Sequence, residues 1–202
     1  MLALAVSGAA GCLSCAVMQP LGPCEPVELS DRQGLLILDI ESDTAVETLW
    51  ISSSHPLPVV QAGRQVWVVR LRAGSYRWRE LHIENVFGGR PFRYELPGDD
   101  EYAFRVEEGQ LNYPGQLTIR RLQYPRISVR TSGLWYWGPR LVIRNRNRAG
   151  STLRELRKTH PRLLRTHPIH YSGLTGDLFL DHFREVMQRS DPDHTVETTG
   201  CE

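Results

Sequence analysis

The chain has 202 residues, 41% hydrophobic and 23% charged, enough apolar side chain for one core with an appendage and too much for a disordered polyelectrolyte. Its formal net charge of +1 conceals a strong segregation. Nine arginines face fifteen acids over residues 1–119, thirteen cations face Glu155 alone over 120–165, and two arginines face seven acids beyond. Charge separated along a chain in this way points to a polyanionic partner or to pairing between segments.

Leu2 to Ala10 is a run of apolar and small residues, too short to span a bilayer but suited to the hydrophobic region of an export signal. It ends in Ala9-Ala10-Gly11-Cys12, which resembles the bacterial lipobox, where small residues precede a cysteine that is lipidated and becomes the new N-terminus. The resemblance implies cleavage before Cys12, with Cys15 as the alternative anchor, and hence a lipoprotein of the bacterial cell envelope with its domain in the periplasm. The positive residues that ordinarily precede such a run are missing. If Cys15 carries the lipid, Cys24 and Cys201 remain as a possible disulfide in an oxidising compartment. Pro20, Gly22, Pro23 and Pro26 then predict a stiff extended tether.

From Leu35 the pattern turns strand-like. Leu35-Leu36-Ile37-Leu38-Asp39-Ile40 is short, branched and too apolar for a surface loop, and Thr48-Leu49-Trp50-Ile51 follows. Val66 to Leu71 is the strongest strand by β-branched and aromatic content. After Gly74, Tyr76 and Trp78 share one parity, but Leu81 and Ile83 continue on the odd positions, so a bulge or bend is expected at Arg79-Glu80. Phe92, Tyr94 and Leu96 alternate with charged residues, as do Tyr102, Phe104 and Val106. Leu111 to Leu122 reads as a strand interrupted at Pro114-Gly115 near a sheet edge. Ile127 to Val129 and Leu134 to Ile143 add two more, the last broken at Gly138-Pro139. Short strands separated by glycine and proline, with no helical crossover between them, predict an antiparallel β-sandwich.

After Gly150 the period changes to that of a helix. Thr152 and Glu155 have capping-box spacing, Leu153, Leu156 and Leu163-Leu164 form an apolar face, and Pro161 should end or kink the helix. A second helix fits Asp177 to Gln188. The expected organisation is a signal over 1–11, a lipid-anchored tether over 12–33, a sandwich over 34–149, a helical segment packed on it over 150–190, and a tail over 191–202.

The phrase Val68-Val69-Arg70-Leu71-Arg72-Ala73-Gly74-Ser75-Tyr76 resembles the strand, small-residue, Gly-x-Tyr element of transthyretin-like and carboxypeptidase-regulatory-like domains. Phe104 to Gly115, with its Gly109-x-x-x-Tyr113-x-Gly115 rhythm, is similar to a phrase in uncharacterised bacterial envelope lipoproteins. The resemblance covers roughly Leu35 to Leu122 and implies a β-sandwich on a membrane anchor. It brings no catalytic residues.

Chemistry is sparse. His160, His167 and His170 lie close together, with His182 beyond, but no cysteine or paired carboxylate joins them at metal-ligand spacing. Ser54-His55 and Asp181-His182 hold triad residue types without a Gly-x-Ser-x-Gly, and no HExxH or phosphate-binding glycine loop occurs. No cofactor or metal is expected. What stands out is the block of Arg120, Arg121, Arg126, Arg130, Arg140, Arg144, Arg146 and Arg148 around Trp135-Tyr136-Trp137. Arginines fork onto phosphates or carboxylates, and tryptophan and tyrosine suit an apolar-polar boundary. On an anchored protein this block would meet anionic lipid, lipopolysaccharide or cell-wall polymer; in the cytoplasm it would read as a nucleic-acid interface. The plainer alternative is that the arginines alternate outward and pair with the acidic parts of the same chain. The expectation is therefore a non-enzymatic binding or scaffolding module, against a periplasmic hydrolase with a His-centred site and a cytoplasmic nucleic-acid binder.

Overall fold

The computed structural model describes residues 17–23, 25–52, 55–84, 91–131 and 134–173, with backbone alone over 123–131 and 134–139. The chain is a mainly β protein of two facing sheets with two helices near the C-terminal end of the described residues. Cys12, Cys15, Cys24, Cys201, His182 and the helix expected over Asp177 to Gln188 lie outside them.

The apolar run at the start of the domain explains the architecture. β1 (Gln33–Ser42) is buried without a break from Gly34 to Ile40, as a strand covered on both faces must be. Leu36, Leu38 and Ile40 enter the core between the sheets, while Leu35 and Ile37 enter a second core on the outer face. One edge of β1 pairs antiparallel with β4 (Gly63–Arg72) along its whole length. Its other edge takes β8 (Leu111–Tyr113) on its first half and β9 (Gln116–Thr131) on its second, both in parallel. β10 (Leu134–Arg146) flanks β9, and β11 (Ile169–Tyr171) flanks β8 in parallel. The second sheet runs β3 (His55–Pro56), β2 (Val46–Ile51), β5 (Gly74–Ile83) and β6 (Phe92–Glu95), with β7 (Ala103–Val106) beside the first half of β5. Leu49, Ile51, Trp78, Leu81 and Phe104 meet Leu38, Ile40, Val69, Leu117 and Ile119 across the sandwich.

The two glycine-bearing phrases carry the chain between sheets. Arg72-Ala73-Gly74 leads from β4 to β5, and Glu107 to Gln110 leads from β7 to β8. Both close on the start of β1: Ala73 N–H donates to the Arg32 carbonyl at 2.7 Å and Gly109 N–H to the Gln33 carbonyl at 2.9 Å. Tyr76 Oη donates back to the Arg72 carbonyl at 2.9 Å, pinning the first corner. This arrangement resembles the tyrosine corner of immunoglobulin-type sandwiches. Asn112, fully buried, knits the second: it accepts from Glu107 N–H and donates to the carbonyls of Leu35, Glu107 and Gln110.

The bulge expected near Arg79 is present, since Trp50 pairs with Glu80 and Ile51 with Trp78, leaving Arg79 as the extra residue. Pro161 ends α1 (Ala149–Thr159) and opens α2 (Pro161–Thr166) at its first turn, where its missing N–H costs nothing. Other expectations need correction. Pro114-Gly115 interrupts the β8–β9 line as expected, but that line lies inside the sheet rather than at an edge, because β10 and β11 cover it. Ile127 to Val129 is the far part of β9 rather than a strand of its own, and Gly138-Pro139 does not break β10. Instead the register shifts there, pairing Pro139 with Arg126 and Arg140 with Leu122. Thr152 is no cap. The helix begins at Ala149, whose N–H donates to the Asn147 side chain at 3.0 Å, and Thr152 lies inside it. Part of the proline-rich segment is also docked on the body: Met18 and Leu21 are buried, and their N–H groups bond to the Pro56 and Val68 carbonyls.

Candidate functional site

Strand alternation sorts the arginines onto two faces. On β9, Leu117 and Ile119 face the inter-sheet core, so Gln116, Thr118 and Arg120 face outward; on β10, Leu141 and Ile143 pack inward, so Arg140, Arg144 and Arg146 face outward. Arg120, Arg140, Arg144 and Arg146 are all exposed. Arg146 stands opposite Gln116, Arg144 opposite Thr118 and Arg140 opposite Leu122, so the row lies along one strand of one ladder. At roughly 3.3 Å per residue, alternate positions stand about 7 Å apart, a spacing suited to successive phosphates or carboxylates.

The row is unevenly neutralised. Arg120 pairs with Glu41 at 2.5 Å across the β1–β9 rung. Arg140, Arg144 and Arg146 make no ion pair among the described residues. Arg148 extends the row to the start of α1, where its side chain is exposed and its carbonyl accepts from Ser151 and Thr152. Arg121 belongs to the opposite parity and is half-buried, with its backbone N–H held by both Asp43 carboxylate oxygens at 2.8 and 3.0 Å. Arg126 and Arg130 occupy register positions opposite Pro139 and Trp135 in the far part of the β9–β10 ladder.

The helices add cations that the strand pattern alone did not single out. Leu153, Leu156 and Leu163 are buried against Leu35, Ile37, Val68 and Leu111. That orientation leaves Arg154, Arg157, Lys158, Arg162 and Arg165 exposed on the side away from the sheet. The signal was in the sequence, because Glu155 is the one acid among them. The basic row of β10 and these helical cations therefore lie on the same side of the sandwich.

A buried polar lock fixes α1 beside the row. Asp39, with no exposed surface, accepts from Arg64 Nε at 2.9 Å, Arg64 Nη2 at 2.8 Å, Gln116 Nε2 at 3.1 Å and Thr152 Oγ1 at 2.5 Å. Thr152 Oγ1 also lies 3.2 Å from Tyr113 Oη, which accepts from the Arg148 N–H. Hydrogen bonds from Asp39 raise the Arg64 guanidinium above its ordinary value. Burial, with the Asp39 charge adding to it, pushes the Tyr113 phenol well above its own. With both oxygens taken by donors, the carboxylate holds strand to helix and has no lone pair turned toward a substrate.

Comparison with protein-family models, curated proteins and solved structures finds no match to this chain.

The histidines have local partners. His160 is buried; its Nε2 donates to the Leu21 carbonyl at 3.3 Å and its Nδ1 lies 2.9 Å from Thr159 Oγ1, so it ties the N-terminal segment to the end of α1. His167 Nδ1 lies 2.8 Å from Thr166 Oγ1, and His170 is registered opposite Asn112 on β11. Among the described residues no three His, Cys, Asp or Glu side chains converge to hold a metal. On the second sheet an open recess is lined by Ser52, Arg77, Arg79, Glu95 and Leu96, where Arg77 is committed to the Gly98 carbonyl at 2.9 Å. No helix among the described residues is long and apolar enough to cross a membrane.

Proposed function

We propose that this protein is a bacterial envelope lipoprotein, anchored through Cys12, whose folded part is a non-enzymatic binding or scaffolding module for an anionic envelope partner. The observation that carries the binding half is the outward row Arg140, Arg144 and Arg146, exposed and without ion pairs among the described residues, continued by Arg148. A row of guanidinium forks on a flat sheet suits a repeating array of phosphates or carboxylates better than one small ligand. The anchor half rests on the resemblance of Ala9-Ala10-Gly11-Cys12 to a lipobox.

Two measurements test the halves separately. Metabolic labelling with palmitate in a bacterial host should be lost in Cys12→Ser and kept in Cys15→Ser; equal labelling of both variants removes Cys12 from the proposal. For the row, each arginine near an anionic surface contributes about 1 kcal/mol. The triple substitution Arg140→Gln/Arg144→Gln/Arg146→Gln should therefore weaken binding to anionic vesicles roughly 100-fold. Wild-type binding should also fall as salt rises. Cosedimentation reads both, and unchanged affinity in a folded triple variant rejects the row.

A further inference from the structure

The β9–β10 ladder outruns its sheet. β1 ends at Ser42, registered with Ile119, and the Asp43 carboxylate then occupies the Arg121 N–H that a continuing strand would have taken. From there to the Thr131–Leu134 rung neither β9 nor β10 is registered with any third strand among the described residues. From Ile143 to Leu134 the ribbon extends about 30 Å at roughly 3.3 Å per residue.

A two-stranded ribbon with open edges is marginal in water on its own. Yet this one is long, and its outer part holds Tyr124, Ile127, Val129, Leu134, Trp135, Tyr136 and Trp137. Such residues need an apolar cover. Nothing from Arg120 to Arg148 is acidic, so the ribbon of a second copy would bring arginine against arginine, which opposes pairing. The cover must combine apolar depth with negative charge. A lipid surface with anionic headgroups does both: indole and phenol rings settle at headgroup level, and Arg126, Arg130 and Arg140 find phosphates beside them.

We infer that the β9–β10 ribbon is a membrane-interface finger, seating Trp135-Tyr136-Trp137 at the headgroup boundary of an anionic bilayer. The inference rests on the proposed anionic partner and narrows it to lipid. It differs in that apolar contact, not only charge, holds the protein to the surface.

The test uses the full chain with Cys12→Ser and Cys15→Ser, so that no acyl chain contributes. The probe is vesicles of phosphatidylglycerol and phosphatidylcholine, with bromine atoms high on the acyl chains. Brominated lipid should quench part of the tryptophan emission of the otherwise unaltered protein, whether or not any ribbon variant folds. In Trp135→Ser/Trp137→Ser, melting as the parent does, that quenching should vanish and vesicle affinity should fall at least about tenfold. Salt-sensitive binding that depends on Arg140, Arg144 and Arg146 but shows no quenching overturns the finger and leaves the arginine row standing. Quenching that depends on Trp135 and Trp137 but not on the row supports the finger and removes the row. A dimer in vesicle-free sedimentation that the tryptophan substitutions dissolve, or binding to soluble acidic polymer with none to vesicles, overturns the lipid assignment.

Discussion

Gly34→Ala should destabilise the domain by about 3–5 kcal/mol, the sum expected from overpacking and from buried hydrogen bonds lost at one place. A Cβ at Gly34 would lie 2.2 Å from the Glu107 carbonyl oxygen, 3.0 Å from Asn112 Nδ2 and 3.0 Å from Val106 Cγ1. The nearest of these is backbone, so no rotamer relieves it. Moving Glu107 away would pull on both of its bonds to Asn112 and on the corner that returns the chain from β7 to β8. Asn112 has no exposed surface, and its freed amide would find no water. For a chain of this size the loss corresponds to a melting temperature about 10 °C lower. Gly150→Ala makes the contrast: it lies in α1 with nothing within 4 Å of the added Cβ. There the gain in helix propensity should stabilise by about 0.5–1 kcal/mol. Thermal melts of both variants check the pair, and equal melting temperatures would show that the corner yields where the geometry says it cannot.

The same corner shows what was legible and what was not. The run Leu35 to Ile40 announced a strand, because six nearly continuous apolar positions have no place on a surface. The slip of parity between Trp78 and Leu81 announced the bulge at Arg79, because alternation is a local property of one strand. Pro161 announced a helix boundary for the same reason. Parallel pairing of β1 with β8 and β9 was invisible, since it joins segments some seventy residues apart and leaves no mark in either. Thr152 misled because hydroxyl and carboxylate spacing fits a capping box wherever it falls. Here the hydroxyl is drawn to Asp39, a partner from another element, and Asn147 caps the first turn instead.

The basic face was half legible. Composition announced an arginine block without counter-charges, and alternation on β10 was enough to align Arg140, Arg144 and Arg146. What sequence did not reveal is that parallel pairing brings Glu41 beside Arg120 and Asp43 beside the Arg121 backbone, so two of the eight arginines meet the acids of the N-terminal part. Internal pairing and an outward face, posed as alternatives, both occur, divided by strand and by parity. The uncompensated cations are those whose neighbours are β10 itself and the helices, which have little acid to offer.

Asp39→Asn is the second large effect, because it preserves volume and changes only the hydrogen-bonding sense of one buried group. The carboxylate receives four donors, two on each oxygen. An amide must turn its NH2 toward either Arg64 Nε and Gln116 Nε2 or Arg64 Nη2 and Thr152 Oγ1, and in both orientations donor faces donor. Breaking a buried pair from one side costs about 3–5 kcal/mol. The Arg64 side chain is 32% exposed and can recover some hydration, so about 3 kcal/mol is expected. Urea unfolding should show it as a lower midpoint with an unchanged slope. Thr152→Val removes one of the four donors and should cost about 1–2 kcal/mol. In the double variant the two losses should fall short of additive, since each removes the same bond. Amide exchange should locate the damage in α1, where Thr152 and Arg148 lose their tie to β1, before it reaches the β1–β4 ladder. If the helix keeps its protection while the sheet loses its own, Asp39 serves the packing of β1 against β4 and does not secure α1. Loosening α1 also frees Arg148, Arg154 and Lys158 from their fixed place beside the β10 row. Anionic-vesicle affinity should then fall in Asp39→Asn although no cation has been removed, which makes this one buried carboxylate the link between the fold and its charged face.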